Sequence, residues 1–160
     1  MAKKILFVCL GNICRSPTAH AVFRHKAKQR QLQVEIESAG TSAYHEGAKP
    51  DQRSVRLGHE RGYDFSAIYS RPVKDQDFAY YDEIYAMDAQ NLTDLERRCP
   101  AEHQGKLKLF LQFHPDYPSI REVPDPYYGG VRGFERVMDL IEQGCDAVLD
   151  RWQQNEPMIS

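Results

Sequence analysis

Apolar residues along the chain follow two patterns, one of short runs and one of helical spacing. Residues 4–8 are almost entirely apolar, which is typical of a strand buried on both faces of a parallel sheet. Three further strands are predicted from alternating or short apolar sequences, at residues 34–38, 83–87 and 106–110.

Helical spacing of apolar residues fills the segments between these strands. Ser16 and Pro17 are typical of an N-cap and a first helical position, and apolar residues follow them at intervals of three and four. Shorter helices are predicted at residues 50–61 and 91–98. The longest apolar stripe predicts a final helix over residues 134–152.

This order of elements predicts one α/β domain spanning residues 1–160, with a doubly wound four-stranded parallel sheet flanked by helices. In such sheets, ligands bind beyond the carboxyl ends of the strands, and Cys9 directly follows the first strand. Two long loops, residues 39–49 and 112–133, are expected to contribute to function.

Composition and charge exclude several classes of protein. The net charge of −2 provides no positive field for a nucleic-acid backbone, so no nucleic-acid partner is expected. No apolar stretch reaches the length of a membrane span, and the short run at residues 4–8 is unlike a secretion signal. We therefore expect a cytoplasmic protein without membrane insertion.

The chain has four cysteines, and their number is even, as in many disulfide-bonded proteins: Cys9, Cys14, Cys99 and Cys145. Stable disulfides are nevertheless rare in the cytoplasm, and a chain of 160 residues can bury a core without them. The spacing of cysteines and histidines matches no zinc site. We expect no metal and no organic cofactor, and we interpret Cys99 and Cys145 as packing residues.

The segment CLGNICRS, residues 9–16, combines a thiol, a flexible turn and a guanidinium in one short loop. Backbone N–H groups of such a loop, together with the N-terminus of the next helix, bind tetrahedral anions. This environment favours Cys9 as a nucleophile, and Arg15 can hold two phosphate oxygens. Gly11 and Asn12 tolerate the backbone angles of a tight turn. The Gly-Lys-Ser/Thr sequence of a nucleotide-binding loop is missing.

Together with other motifs, this segment resembles the signature of the low-molecular-weight protein tyrosine phosphatases. The match runs from Cys9 to Pro17 and continues at residues 38–40, 87–88 and 125–129, so it spans nearly the whole chain. The resemblance implies a flavodoxin-like fold, in agreement with the four predicted strands. It also implies hydrolysis of phosphotyrosine and small aryl phosphates through a phosphocysteine intermediate, without a cofactor.

The resemblance assigns roles to individual residues. It implies that Cys9 is the nucleophile, that Arg15 binds the phosphate, and that Asp125 is the general acid and then the general base. On local sequence alone, Asp125 between two prolines is equally typical of a plain turn, and the resemblance decides for catalysis. The rest of the phosphate-binding loop comprises Leu10, Gly11, Asn12, Ile13, Cys14 and Ser16.

Residues outside the loop are expected to hold it and to shape the cleft. Asn12, Ser16 and Ser38 are implied to form hydrogen bonds around the loop that support the thiolate. The chain departs from the family pattern at Ile68, where many members carry His, and at Tyr44, where many carry Trp. Loop aromatics are also common packing residues, but we expect a substrate cleft lined by Ile13, Tyr44, Tyr127 and Tyr128.

Cys14 has two interpretations. It lies five positions after Cys9, so its thiol could capture a sulfenic acid on Cys9 as a disulfide and act as a redox guard. Alternatively, it is a small residue that fills the interior of the loop.

The expected partners are phosphotyrosine-bearing proteins, with a tyrosine kinase as one candidate, and phosphate or similar oxyanions. The nearest alternative is a protein-arginine phosphatase of the same family, which typically has Thr at the position of Ile13. An arsenate reductase needs two further cysteines close together, whereas Cys99 and Cys145 are far apart in the sequence. A phosphocysteine carrier or anion-binding module would have no use for Arg15 and Asp125 together.

Overall fold

The structure is built around a parallel sheet with helices on both faces. The computed structural model describes residues 2–126 and 129–155. The four strands, in the spatial order β2-β1-β3-β4, are β1 (Lys3–Cys9), β2 (Val34–Gly40), β3 (Glu83–Ala86) and β4 (Leu107–Leu109). All three strand pairs are parallel, as the sequence predicts.

Within the described residues, five α-helices and two short 3-10 helices connect and flank the strands. The α-helices are α1 (Arg15–Gln29), α2 (Gln52–Glu60), α3 (Asp75–Tyr80), α4 (Ala89–Arg98) and α5 (Gly130–Asn155). The 3-10 helices are Ala101–Lys106 and Phe110–Phe113. No helix among the described residues combines the length and apolar character that a membrane crossing requires.

Side chains of the central strand β1 alternate between two apolar layers. Ile5 and Phe7 point to the layer that contains α1 and α5, whereas Leu6 and Val8 point to the layer that contains α3 and α4. All four side chains are fully buried. A strand covered on both faces has no polar face, which explains why residues 4–8 are a continuous apolar run rather than an alternating one.

The order of the strands opens a crevice at the carboxyl end of the sheet. From β1 the chain moves to β2 on one side and later returns to β3 on the other, so the switch in direction lies between β1 and β3. Ligands of doubly wound sheets bind at such a point. Cys9 ends β1 at this position, as expected from the sequence.

The structure differs from the sequence prediction most clearly at α1, β4 and α3. Helix α1 begins at Arg15 with Cys14 in the N-cap position, so Ser16 is not the cap; its hydroxyl is used inside the loop instead. Strand β4 ends at Leu109 and a 3-10 turn follows. Helix α3 is absent from the prediction because its six residues contain too few apolar positions to show a period.

A polar cluster closes the opposite, amino end of the sheet. Glu83, at the start of β3, accepts hydrogen bonds from Arg151 and Trp152 of α5 and, at 3.0 Å, from the Tyr85 hydroxyl. Burial alone would raise the pKa of Glu83, but Arg151 and these hydrogen bonds lower it below its ordinary value. The cluster fastens the last helix to the first residue of an inner strand.

Candidate active site

The loop after β1 has its carbonyl groups tied to the surrounding structure. The carbonyls of Cys9 and Leu10 accept from Thr41 N (2.9 Å) and Ser42 N (3.0 Å). Further along the loop, the Gly11 carbonyl accepts from Ser70 Oγ, the Ile13 carbonyl from Asp51 N, and the Cys14 carbonyl from Thr18 N and Oγ1. N–H and C=O point in opposite directions across a trans peptide, so this arrangement leaves loop N–H groups free to bind an anion.

The Cys9 thiol is surrounded by hydrogen-bonding groups. The Asn12 N–H donates to Cys9 Sγ at 3.3 Å, and the Ser16 hydroxyl lies 3.0 Å from the same sulfur. Asn12 has φ of 56°, a left-handed conformation, and its side chain donates to Ser16 Oγ (2.7 Å) and accepts from Arg71 N (3.0 Å). The Asn12 side chain therefore fixes both the turn and the hydroxyl beside the thiol.

Arg15 is held in place from the back of the pocket. Its Nη1 donates to Asp88 Oδ2 at 2.6 Å and to the Val123 carbonyl at 3.0 Å, and the residue is only 4% exposed. Burial disfavours its charge, but Cys9 and Asp88 outweigh burial and raise the pKa of Arg15 above its ordinary value. The guanidinium is therefore a fixed, permanent positive charge beside the thiol.

Asp125 reaches the same pocket from a separate loop. Two residues earlier, buried Val123 donates its N–H to the Met87 carbonyl (2.9 Å) at the end of β3 and accepts from Arg15. These two bonds anchor the segment that carries Asp125. The Asp125 side chain is exposed, and together with Cys9 it lines a pocket of about 500 Å³. The structure therefore brings Cys9, Arg15 and Asp125 together.

The mouth of the pocket is formed by apolar and aromatic side chains. Ile13 and Tyr44 both line it, as the sequence suggests, and Tyr44 is 87% exposed. The Tyr44 ring packs edge-on against His45, with the ring centroids 4.8 Å apart. Tyr127 and Tyr128, which the sequence analysis also assigns to the cleft, lie outside the described residues.

Ser38 and Ile68 lie behind the loop rather than in the pocket. The Ser38 hydroxyl lies 3.2 Å from His20 Nδ1, so its hydrogen bond joins β2 to α1 instead of reaching the loop directly. Ile68 is 3% exposed and belongs to the apolar layer that also contains Cys9. At this position the chain therefore contributes a buried apolar side chain to that layer.

Cys14 is a buried residue of the loop with a free thiol, and it lines the catalytic pocket. Burial, followed by the neighbouring Asp51 carboxylate and the Cys9 thiol, raises the pKa of Cys14 to about 12. The thiol is therefore protonated at neutral pH. Cys99 and Cys145 are also free and buried, far from the pocket in the two apolar layers.

Sequence reasoning missed several residues that complete the site. Asp88 enters the sequence analysis only through the family motif at residues 87–88. An acidic residue directly after a predicted strand is a signal that could have identified it as a partner for Arg15. Nothing in the sequence indicated that Ser42 and His45 line the pocket. Among residues 2–126 and 129–155, no three His, Cys, Asp or Glu side chains are grouped so that they could hold a metal ion.

The chain was compared with known proteins. Residues 4–157 match the family model described as low molecular weight phosphotyrosine protein phosphatase. The low molecular weight protein-tyrosine-phosphatase YfkJ of Bacillus subtilis is 36% identical over 156 residues, which cover 96% of this chain and 98% of that protein. The crystal structure of YfkJ covers 98% of both chains with a TM-score of 0.91.

Two other solved structures share the fold. A protein tyrosine phosphatase from Entamoeba histolytica, described with Hepes in the active site, is 42% identical with a TM-score of 0.90, covering 96% of this chain and 98% of that chain. A Drosophila arginine phosphatase is 30% identical with a TM-score of 0.89, covering 96% and 99%. The family match, the fold and the shared length agree, and this chain therefore belongs to the low molecular weight phosphotyrosine protein phosphatase family, a family of hydrolases.

Proposed function

We propose that this enzyme hydrolyses phosphotyrosine in proteins, and small aryl phosphates, through a phosphocysteine intermediate on Cys9. The observation that carries the proposal is the single pocket in which the Cys9 thiol, the fixed Arg15 guanidinium and the Asp125 carboxyl meet. Proteins bearing phosphotyrosine, a tyrosine kinase among them, are the proposed substrates. The free thiols of all four cysteines support a cytoplasmic location.

The first step transfers the phosphoryl group to the enzyme. Cys9 Sγ forms a bond to phosphorus while the bond from phosphorus to the phenolic oxygen breaks, and Asp125 gives its proton to that oxygen. The loop N–H groups and Arg15 hold the phosphoryl oxygens as charge spreads over them in the transition state. The tyrosine ring would lie between Ile13 and Tyr44 at the mouth of the pocket.

The second step releases phosphate. The Asp125 carboxylate takes a proton from water as the water oxygen attacks phosphorus, and the sulfur–phosphorus bond breaks to restore the Cys9 thiolate. The Ser16 hydroxyl, 3.0 Å from Sγ, is placed to stabilise the sulfur as a leaving group. Asp125 thus returns to its protonated form for the next cycle.

The experiment uses p-nitrophenyl phosphate, phenyl phosphate and matched phosphotyrosine and phosphoarginine peptides with the wild type, Cys9→Ser and Asp125→Asn. Cys9→Ser should remove turnover of every substrate. Asp125→Asn should lower kcat by about 10²-fold or more on phenyl phosphate, and by less on p-nitrophenyl phosphate, because a good leaving group needs less help from an acid. Turnover by Cys9→Ser would refute the mechanism.

The phosphoarginine peptide tests the alternative of a protein-arginine phosphatase. The solved Drosophila relative is described as an arginine phosphatase. In this chain, however, the bulky apolar Ile13 at the pocket wall favours a phenyl ring over a charged guanidine. We expect the phosphotyrosine peptide to react faster, and a preference for phosphoarginine would overturn the substrate assignment. Binding without any turnover would instead indicate an anion-binding module or phosphocysteine carrier.

The role of Cys14 as a redox guard stays a prediction. If a peroxide converts the Cys9 thiolate to a sulfenic acid, attack by Cys14 sulfur would form a disulfide and release water. The buried, protonated state of the Cys14 thiol means that its proton must leave during this step.

A further inference from the structure

A second groove, of about 930 Å³, lies beside the catalytic pocket and shares none of its lining residues. One wall is the face of α2 that presents Val55, Arg56 and His59; His59 follows the other two by four and three positions, so all three lie on one face of the helix. The other wall is the segment 63–69. The apolar side chains that line the groove are Val55, Tyr63, Phe65, Ile68 and Tyr69.

The groove begins where the phosphate-binding loop ends. Asp51, which lines the groove, donates its backbone N–H to the carbonyl of Ile13, which lines the catalytic pocket, at 2.7 Å. The other wall is joined to the loop by Ser70, whose hydroxyl donates to the Gly11 carbonyl at 2.9 Å. A polypeptide with its phosphotyrosine in the pocket therefore has the groove within reach of the residues next to that tyrosine.

The charged side chains of the groove that have no ion-pair partner are positive. Its two acids already interact with cations outside the groove: Asp51 pairs with Arg53 at 2.9 Å, and Asp64, which accepts hydrogen bonds from the backbone and hydroxyl of Ser66, lies in the field of Arg24. Its cationic side chains, Lys49 and Arg56, are exposed and form no hydrogen bond or ion pair within the described part of the chain.

One backbone feature also marks this groove. Ala67, which lines the groove, has φ of 64°, a left-handed conformation that is unfavourable for a non-glycine residue. Strained residues of this kind cluster at binding and catalytic sites.

We propose that this groove docks an acidic, partly apolar segment of the substrate polypeptide immediately beside the phosphotyrosine. The inference rests on the proposed function and narrows its substrate class. A substrate carboxylate pairs with the fork of Arg56, while an apolar side chain of the same segment covers the floor formed by Val55 and Phe65. Because Asp51 is already paired with Arg53, the exposed cations Lys49 and Arg56 are the charges of the groove that select acidic sequences.

The test compares three phosphotyrosine peptides with p-nitrophenyl phosphate. The peptides share one sequence with leucine near the tyrosine and carry Glu, Gln or Lys at the flanking positions on both sides. The variants are Arg56→Glu and, as a matched control, Arg97→Glu, which makes the same charge change at an exposed arginine on α4. Values of kcat/KM are measured at low and high salt.

The wild type should prefer the Glu peptide to the Gln peptide by about fivefold at low salt, and by less at high salt. Arg56→Glu should lower kcat/KM on the Glu peptide about tenfold and favour the Lys peptide, while its activity on p-nitrophenyl phosphate stays within twofold of wild type. Arg97→Glu should keep the wild-type preference.

Equal kcat/KM of the wild type on all three peptides, or an unchanged preference in Arg56→Glu, would refute the proposed docking role of the groove. Neither result would affect the assignment as a phosphatase. A uniform loss in Arg56→Glu on every substrate would also refute the docking role, since that outcome indicates a general effect on the enzyme. If the wild type hydrolyses p-nitrophenyl phosphate but none of the phosphotyrosine peptides, the proposed function fails first.

Discussion

His20 is a buried imidazole behind the phosphate-binding loop, and its protonation is coupled to stability. Burial, with a smaller contribution from Arg24, lowers the pKa of His20 to about 3, whereas an unfolded histidine has a pKa near 6.5. Above pH ~6.5 the imidazole of His20 is neutral in both the folded and the unfolded chain, so its titration does not change the free energy of unfolding. Between pH ~6.5 and about 3 the unfolded chain alone binds the proton, so stability falls as the pH falls.

The variant His20→Gln should therefore flatten the acid side of the stability profile. One titrating group contributes a slope of up to ~1.4 kcal/mol per pH unit, and the variant should lose that part of the slope below pH ~6. Urea unfolding between pH 4.5 and 7.5 measures it. Gln33→Ala, at an exposed position without a titratable side chain, is the control and should keep the wild-type slope. Equal slopes in the wild type and His20→Gln would contradict the coupling.

At the scale of single residues, the sequence predicts the chemistry of the site better than its contacts. The left-handed turn at Asn12 is confirmed, because a short polar side chain tolerates this conformation. Its bond to the backbone of Arg71, 59 positions away, depends on how distant segments fold together. The same holds for Ser38, whose partner His20 lies on another element. Local sequence contains no information about such pairs.

At the scale of elements, the approach of α5 to the segment after β4 depends on a glycine. A Cβ at Gly144 would lie 2.4 Å from Phe110 Cε2 and 2.9 Å from Leu111 Cδ2. Gly144→Ala should gain about 1 kcal/mol of helix propensity but lose about 3 kcal/mol to overpacking, for a net destabilisation of about 2 kcal/mol. Urea unfolding at constant pH measures the difference.

The control for this prediction is Gly105→Ala, where an added Cβ meets no atom within 4 Å. Its free energy of unfolding should stay within about 0.5 kcal/mol of the wild type. Equal stability of the two variants would mean that α5 can shift to accept the methyl group.

The long periodic elements were predicted well, whereas helix α3 and the end of strand β4 were not. The 26 residues of α5 contain enough turns for a stripe to be visible, and the buried strand β1 is a clear apolar run. Helix α3, with Phe78 as its buried anchor, shows no period. Strand β4 stops at Leu109 because Gln112 accepts from its N–H and turns the chain into a 3-10 helix.

At the scale of the whole molecule, the cluster around Glu83 holds the chain's last helix against the sheet. Arg151→Ala would leave the buried Glu83 carboxylate with the longer ion pair to the partly exposed Lys3, at 3.7 Å, and we expect a loss of about 2–4 kcal/mol in the free energy of unfolding. Arg97→Ala, at an exposed surface pair, should change it by less than about 1 kcal/mol. Similar losses in both variants would show that the cluster adds no special stability.

This cluster lies at the end of the sheet opposite the site, so Arg151→Ala should leave KM for p-nitrophenyl phosphate unchanged under conditions where the variant is folded. A shift in KM would reveal that α5 transmits strain to the phosphate-binding loop. The measurement therefore separates the stability of the fold from the geometry of the pocket.

The position of Trp152 has a spectroscopic consequence. It is the only tryptophan of the chain, its indole is buried against Phe23, and its N–H donates to Glu83 at the amino end of the sheet. Its fluorescence should shift to longer wavelength when the chain unfolds, yet stay constant when phosphate fills the pocket at the other end. One intrinsic fluorophore can thus follow unfolding without reporting occupancy of the active site.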